Sequence, residues 1–318
     1  MKAVVTGGAG FIGSTLVDRL VGQGDEVVVI DDLSSGRTSN LDAALAQAGG
    51  RVRLEVLDVC DEATTALIAG VEPDVVFHLA AQADVRVSVA DPVLDATINV
   101  LGTIRVLEGA RRAGGAKVVF AASGGTLYGE PAASALPLTE AQERNPGSPY
   151  GVSKMAGIDY LACYERLHGV PTVALALANV FGPRQDPHGE AGVVAIFAGR
   201  LLAGEECTVF GTGEQTRDFV YVDDVAAAFA RAGRQGSGVI NIGTGVETSV
   251  NHLYRVMASA AAAPDEPLRA PARPGELDRS ALDNTRAGDE LGWSPEVDLE
   301  TGLQAVIDWS RTADERSA

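Results

Sequence analysis

The sequence predicts an α/β protein built on a doubly wound parallel sheet, with a smaller α/β lobe at its C-terminal end. Three observations predict it. A short apolar strand, Lys2 to Thr6, runs straight into a glycine turn and then an amphipathic run from Ser14 to Val21. Strand-like and helix-like stretches keep alternating as far as about residue 178, which is the pattern of a parallel sheet covered on both faces. The second strand, Glu26 to Ile30, ends in two carboxylates, Asp31-Asp32.

The glycine turn reads Gly7-Gly8-Ala9-Gly10-Phe11-Ile12-Gly13, so Gly7, Gly10 and Gly13 are spaced three apart. Gly7 and Gly10 permit a tight turn and close approach of a pyrophosphate to the backbone, beside Phe11 and Ile12. Gly13 permits the helix to pack against the strand, whose helix N-terminus then faces the phosphates. An acidic side chain about 20 residues after the glycines accepts hydrogen bonds from ribose hydroxyls. Asp31 and Asp32 would repel a 2′-phosphate, so the expected cofactor is NAD rather than NADP in a Rossmann-type domain. Arg37 is a weaker candidate for a phosphate clamp.

Further strands are read at Val52 to Leu57, Asp74 to His78, Lys117 to Ala122 and Thr172 to Ala178. A short helix is expected at Asp61 to Ala69, and one long helix or two broken ones over Asp91 to Ala113. Ligands of such sheets bind outside the carboxyl ends of the strands. Asp58 and Val59, then Leu79, Ala80 and Ala81, then Ser123, then Asn179 all follow strand ends and are expected to line one crevice. Past Asn179 the texture changes to a loop at 182–189, a helix at 193–203, a short strand at 207–210, a strand and helix to Ala232, an irregular proline-rich stretch at 264–276 and a closing helix from Leu299 to Trp309. The expected division is a cofactor-binding domain over 1–178 and a substrate lobe over 179–318, with parts of 213–245 returning to the first.

Composition narrows the function. A net charge of -18 argues against nucleic-acid binding, which needs basic surface, though not against an anionic small ligand in a local cationic pocket. No apolar run approaches ~18 residues, so no membrane span is expected. Met1-Lys2 leads directly into the first strand, with no signal peptide. Cys60, Cys163 and Cys207 are odd in number and far apart, which fits reduced thiols in the cytoplasm. His78, His168, His188 and His252 show no metal-ligand spacing, so no metal site is expected.

The chemistry gathers at Ser148-Pro149-Tyr150-Gly151-Val152-Ser153-Lys154. Ser148 is a natural N-cap, Pro149 suits the first helical position, and no proline follows before Leu167. Residues four apart share a helix face, so the Tyr150 hydroxyl and Lys154 ammonium reach one small region. A free tyrosine, with a pKa near ~10, is a poor base at neutral pH. A neighbouring ammonium and a cationic nicotinamide favour the phenolate, and a drop of three units needs about 4 kcal/mol.

Several motifs span nearly the whole chain in one order: TGGAGFIG at 6–13, HLAA at 78–81, YGVSK at 150–154, NVFGPRQ at 179–185, RDFVYVDDVA at 217–226 and RPGE at 273–276. Together with the acidic end of the second strand, they resemble the extended short-chain dehydrogenase/reductase family, and within it the NAD-dependent nucleotide-sugar epimerases. The resemblance implies transient oxidation of a UDP-hexose at C4 by tightly bound NAD, a swing of the 4-keto sugar about its diphosphate link, and reduction on the other face, interconverting UDP-glucose and UDP-galactose. It implies Tyr150 as base, Lys154 as its activator and nicotinamide-ribose ligand, and Asn99 as a structural and relay residue near the nicotinamide. Asn179, Arg217, Arg273 and Glu276 would hold the nucleotide diphosphate. It also implies a homodimer through the segments 91–113 and 150–168, whose exposed sides are expected to carry Leu101, Ile104, Leu161 and Tyr164.

One position departs from the family. A serine or threonine is usual four residues before the pair Tyr128-Gly129, where this chain has Gly124. Thr126 is the expected partner of the substrate 4-hydroxyl, with Ser123 in reserve. The related dehydratases carry an acidic residue just before this pair, where the chain has Gly125, Thr126 and Leu127, so an elimination would lack its acid. The loop Asp186-Pro187-His188-Gly189 is expected to shape the sugar pocket, and Asp186 to disfavour a uronate, leaving UDP-glucuronate 4-epimerisation as the alternative. A further alternative is a non-catalytic NAD-binding regulator. Ser280, seven residues after Arg273, would border the sugar 2-substituent and leave room for an N-acetyl group.

Overall fold

The computed structural model describes residues 1–187, 192–273 and 277–317. In the first part of the chain, β1 (Lys2–Thr6), α1 (Phe11–Gly22), β2 (Glu26–Asp31), α2 (Asp42–Gln47), β3 (Val52–Val56), α3 (Glu62–Val71) and β4 (Val75–His78) alternate. Three short helical pieces follow, α4 (Val85–Ala90), α5 (Pro92–Ala96) and α6 (Gly102–Arg112), then β5 (Lys117–Ser123), α7 (Gly124–Leu127), α8 (Pro149–His168) and β6 (Thr172–Leu177). The remainder runs β7 (Asn179–Phe181), α9 (Val193–Ala203), β8 (Thr208–Phe210), β9 (Thr216–Arg217), β10 (Phe219–Tyr221), α10 (Val222–Ala232), β11 (Gly238–Ile242), β12 (Thr248–Ser249), α11 (Val250–Ala261), β13 (Leu268–Ala270), α12 (Thr285–Leu291) and α13 (Leu299–Ser317).

Seven strands form one parallel sheet in the order β11-β6-β5-β4-β1-β2-β3. From β1 the chain first builds outward through β2 and β3, then crosses to β4 and builds the other way. The reversal opens a crevice at the carboxyl ends of β1 and β4, where Val5 sits between Val29 and Phe77 in register. These strands are near-continuous apolar runs, as strands covered on both faces must be. All four residues of β4 and all six of β6 are buried.

One face packs against α1, α10 and α12 through Leu16, Leu20, Val225, Phe229 and Leu291. The other packs against α3, α6 and α8 through Ile68, Leu107, Ile158 and Leu161. A third cluster, in which Phe197, Leu253 and Leu303 meet, joins α9, α11 and α13. Thus α10, β11 and α12, all late in sequence, belong to the large sheet.

The helix expected over 91–113 is three pieces. Asp91 caps α5 by accepting from the Leu94 amide at 2.9 Å, with Pro92 at the first position. A wide π-type turn over Thr97–Leu101 then separates α5 from α6. Such turns gather at functional sites, and this one carries Asn99. The stretch read as irregular, 264–276, contains β13, which pairs in parallel with β8. The closing helix continues beyond Trp309 to Ser317, since nothing there breaks a helix although the apolar repeat has ended. Among the described residues no helix is long and apolar enough to cross a membrane. Among them no group of three or more His, Cys, Asp or Glu side chains could hold a metal ion.

Candidate functional site

The glycine turn is a meeting of backbones. Gly7 has φ +68, and a Cβ there would lie 2.6 Å from the Ala80 amide nitrogen. A Cβ on Gly13 would collide with the Gly7 carbonyl. Gly7 and Gly13 therefore close the turn on itself and on the 79–81 segment. Gly10 is different: it is the N-cap of α1, and a Cβ there would meet only the Gly7 carbonyl at 3.2 Å. No acidic residue occupies the first turn of α1, so its amide-rich end is not neutralised from within. The cradle suits a pyrophosphate beside Phe11 and Ile12.

The two carboxylates that end β2 part company. Asp31 is buried, and its carboxylate accepts from the Ala9 and Leu33 amides, both at 2.9 Å. Burial raises its pKa, and those two amides oppose the rise. Asp31 thus joins strand two to the glycine turn. Asp32 is exposed and folds back on its own loop, accepting from the Ser34 amide and hydroxyl at 2.9 and 2.6 Å. Local turn chemistry engages one of its carboxylate oxygens. Arg37 and Asp186 form an exposed ion pair at 3.3 Å. His188, Gly189 and Glu276 lie outside the described residues.

Asp58 accepts from the Cys60 amide at 2.8 Å, and Val59 is wedged against Gly102 at the start of α6. The Leu79 and Ala80 amides donate to the carbonyl and hydroxyl of Thr6, at 3.1 and 3.3 Å, which ties Leu79, Ala80 and Ala81 to the end of β1. From Thr6 a buried chain continues. His78 Nδ1 is 2.8 Å from the Thr6 hydroxyl, its Nε2 is 3.0 Å from the Thr103 hydroxyl, and Thr103 donates to the Asn99 carbonyl at 2.6 Å. Because the Thr103 proton is spent on Asn99, His78 donates through Nε2 and accepts at Nδ1. Complete burial pushes its pKa down to about 3, which keeps the ring neutral.

Asn99 is fully engaged. Its amide nitrogen contacts the Gln82 carbonyl (2.8 Å), an Asp95 carboxylate oxygen (3.0 Å) and the Ser153 hydroxyl (3.2 Å), while its oxygen accepts from the Gln82 amide (2.9 Å). Ser153 in turn donates to the Tyr150 carbonyl at 2.9 Å. Asn99 braces the start of α8, and its carbonyl is taken by Thr103.

The helix of Tyr150 and Lys154 forms where expected. Ser148 caps it by accepting from the Gly151 amide at 3.2 Å, and Pro149 opens it. Gly151 lets its first turn approach the Thr126 carbonyl, since a Cβ there would lie 2.8 Å from that oxygen. Lys154 is buried, donates to the Ala121 carbonyl at 2.9 Å, and lies 4.8 Å from the Phe120 ring centre and 5.8 Å from that of Tyr150. Burial pushes its pKa down to about 8, and the Asp95 carboxylate works the other way.

After β5, Ser123 leads into the one-turn helix α7. The Thr126 hydroxyl is buried and has no hydrogen-bond partner. Its surroundings converge from four elements. A Cβ on Gly124 would collide with the Leu282 side chain, and one on Gly125 would lie 3.9 Å from the Asn179 side chain. Asn179 is exposed and Ser280 is buried. Arg217 donates to the Thr216 carbonyl at 2.7 Å, and the Arg273 guanidinium sits 3.8 Å from the Phe210 ring centre, a cation–π stack.

A residue that sequence reading passed over holds these parts together. Asp218 is buried and accepts from the Thr244 amide (2.8 Å) and hydroxyl (2.6 Å), the Gly245 amide (3.0 Å) and the Leu282 amide (3.1 Å). Its own carbonyl accepts from the Asn179 amide at 2.9 Å. Sequence offered no signal for it beyond adjacency to Arg217. Asp95 was also missed, although its i, i+4 relation to Asn99 was a usable signal. Replacing Gly13 by alanine is expected to force α1 off the turn and weaken NAD binding at least tenfold, about 1.4 kcal/mol, read by fluorescence titration; unchanged affinity would show that the turn has slack.

The comparisons agree with this geometry. The model of the NAD dependent epimerase/dehydratase family matches residues 3–243. The chain is 51% identical over 313 residues to a UDP-glucose 4-epimerase of Mycolicibacterium smegmatis, covering 98% of this chain and 99% of the relative. Among solved structures, it matches the UDP-glucose 4-epimerase of Thermotoga maritima with UDP-glucose at a TM-score of 0.94 and 42% identity, over 98% of this chain and 99% of that one. It matches the Thermus thermophilus UDP-glucose 4-epimerase in complex with NAD at a TM-score of 0.90 and 41% identity, over 98% and 100%. With a crevice built for a dinucleotide and likeness of this extent along nearly its whole length, the chain belongs to the NAD dependent epimerase/dehydratase family.

Proposed function

We propose that the chain is an NAD-dependent UDP-sugar 4-epimerase that interconverts UDP-glucose and UDP-galactose. The observation that carries the reading is the turn of Thr126, packed directly against the helix start that bears Tyr150, with a buried hydroxyl that wants a partner and no carboxylate between Gly124 and Leu127. The amide end of α1 at Gly10, Phe11 and Ile12 would hold the pyrophosphate, Asp31 the adenosine ribose, Asp58 and Val59 the adenine side, and Lys154 the nicotinamide ribose beside Ala80 and Ala81. NAD held there would take up a hydride from sugar C4 and give it back, with no net consumption.

Tyr150 takes the proton of the 4-hydroxyl as the sugar is oxidised and returns one as it is reduced. The Lys154 ammonium, held in a dry pocket, favours the phenolate. Thr126 hydrogen-bonds the same substrate oxygen and holds it against Tyr150, with Ser123 as the neighbouring hydroxyl. Asn179, Arg217, Arg273 and Glu276 would hold the nucleoside diphosphate as a whole, the arginines on its phosphates, so that only the sugar turns between the two half-reactions. An elimination would need an acid that this turn does not carry.

Tyr150→Phe is expected to abolish turnover while NAD still binds. Thr126→Val is expected to lower kcat by about 10–100-fold with little change in KM, as loss of a hydrogen bond to a reacting oxygen should. Steady-state epimerisation of UDP-galactose reads both, and activity retained by Tyr150→Phe, or one free NAD consumed per product, would overturn the reading.

Ser280 favours a second substrate class. It is small and buried beside Leu282, on the segment that packs against Gly124. UDP-N-acetylglucosamine is expected to be accepted alongside UDP-glucose, and Ser280→Tyr to reduce kcat/KM for the N-acetyl substrate selectively. An inert parent enzyme toward that substrate would remove the proposal.

Residues 1–178, joined by α10, β11 and α12, form the cofactor-binding part in this reading, and the rest of 179–318 forms the substrate lobe. The three free thiols fit a reducing compartment, the cytoplasm. The active form is a homodimer. Val93, Leu101, Val152 and Leu167, on α5, the π-turn and α8, are 74%, 54%, 48% and 70% exposed, an apolar face that a second copy would cover. Leu161, expected on that face, is instead buried in the core, and Tyr164 is half-buried and donates to Glu108 at 2.9 Å. Sedimentation at micromolar concentration is expected to give a dimer; a monomer alone would exclude it.

A further inference from the structure

The Tyr150–Lys154 pair accounts for one charge in the crevice floor but leaves a second unexplained. Asp95 is only 1% exposed, on α5, and among the described residues no arginine or lysine bonds it. Its partners are two side-chain amides, Asn99 at 3.0 Å and Gln82 at 3.1 Å. A buried carboxylate held by neutral donors is costly unless a cation compensates it through space. The hydrogen bonds from Asp95 through Asn99 reach Ser153, the neighbour of Lys154, and Lys154 is the cation on which the Asp95 carboxylate acts; its direct contacts, the Ala121 carbonyl and the Phe120 face, are neutral.

We propose that Asp95 is the counter-anion and positioning residue of the Tyr150–Lys154 pair: it favours the Lys154 ammonium through space and, through Asn99 and Ser153, fixes the helix turn that carries Tyr150. The path is continuous, from the Asp95 carboxylate to the Asn99 amide, to the Ser153 hydroxyl, to the Tyr150 carbonyl. The π-turn is what lets Asn99 face Asp95 and Ser153 at once while its carbonyl still receives Thr103.

Among the described residues, the other charged and titratable groups on the elements around the pair are engaged elsewhere or neutral. On β4, His78 stays neutral. On the approach to α4, Asp84 is paired with Arg86 at 3.0 Å on the surface. Cys60, which donates to the Thr97 carbonyl of the π-turn, is pushed up to about 12 by burial and neighbouring carboxylates and stays a thiol. At the far end of α6, Glu108 binds Arg111 and Tyr164, and at the start of β5, Lys117 donates to the Gln235 and Gly236 carbonyls. The remaining charge is the oxidised nicotinamide itself, a cation.

Removing the Asp95 charge has one sign for both members of the pair. The ammonium loses a stabilising anion and the phenolate loses a repelling one, so both protons leave at lower pH. This inference rests on Tyr150 being the base, and its test reads the phenolate without turnover. In NAD-loaded protein free of substrate, an ultraviolet difference titration of the parent against Tyr150→Phe isolates the Tyr150 phenolate. In Asp95→Asn, whose amide oxygen can still accept from Asn99 and Gln82, that titration is expected to move about one pH unit toward acid. Both limbs of the kcat–pH profile should move with it. Asp95→Ser, which removes the charge and changes the hydrogen bonding, is expected to give the same displacement, so either folded variant decides. Asp84→Asn should move nothing. Lowered activity with an unmoved phenolate titration and an unmoved pH profile would mean that Asp95 is only a brace, and would overturn the proposal. Failure of the parent to differ from Tyr150→Phe would instead overturn the assignment of the base.

Discussion

An ammonium group stripped of water is the constraint to which the rest of the crevice answers. Lys154 lies at the bottom of the site, and a desolvated cation there costs several kcal/mol unless the protein repays it. One backbone carbonyl, the face of Phe120 and the field of Asp95 do so in part, and burial still depresses the group to about 8. Half-compensation suits the chemistry. A cation fully satisfied by a carboxylate would have little field left for the tyrosine beside it, and one with no anion near would be held less firmly as the ammonium. Gly157 packs against the Phe120 ring and Gly151 against the Thr126 carbonyl, which presses the helix of both reacting residues onto the sheet.

A directional hydrogen-bond chain protects that arrangement. It runs from the Ala80 amide to Thr6, His78, Thr103 and the Asn99 carbonyl, with each hydroxyl or ring both accepting and donating once. Such a chain has a single consistent polarity, so a charged His78 would break it at Nδ1. Complete burial keeps the ring neutral and preserves the polarity. The same chain links the glycine-turn end of β1 to the π-turn, and so joins the cofactor cradle to the catalytic helix through side chains that touch neither ligand.

The lobe over the crevice is anchored by different means. Asp218 gathers four donors from two segments far apart in sequence, Thr244-Gly245 and Leu282, and buries its charge to do so. Glu247 accepts from Thr216 at 2.5 Å and is clamped by Arg279. The Asp218 contacts set Asn179 and Leu282 beside the Thr126 turn. A grip on the nucleotide can then be firm while the sugar pocket stays open enough for the sugar to turn.

What the sequence by itself determined are the features that obey local rules. A glycine turn between strand and helix, a Ser-Pro cap followed by tyrosine and lysine four apart, and alternating apolar strands are all written within a dozen residues. The structure keeps each of them where the chain announces it. Only the tertiary structure decided what depends on distant partners. Asp31 turns to the glycine loop while its neighbour Asp32 turns away, because only one of two adjacent strand-end side chains can face inward. Asp186 pairs with Arg37, the 91–113 helix opens into a π-turn around Asn99, and Leu161 falls inside the core. Locally, Asp95 is marked only by its spacing from Asn99, and Asp218 only by its place beside Arg217 in the 217–226 motif. Their roles come from which buried donors and cations the fold brings to them, and burial is a property of the assembled chain rather than of any stretch of it.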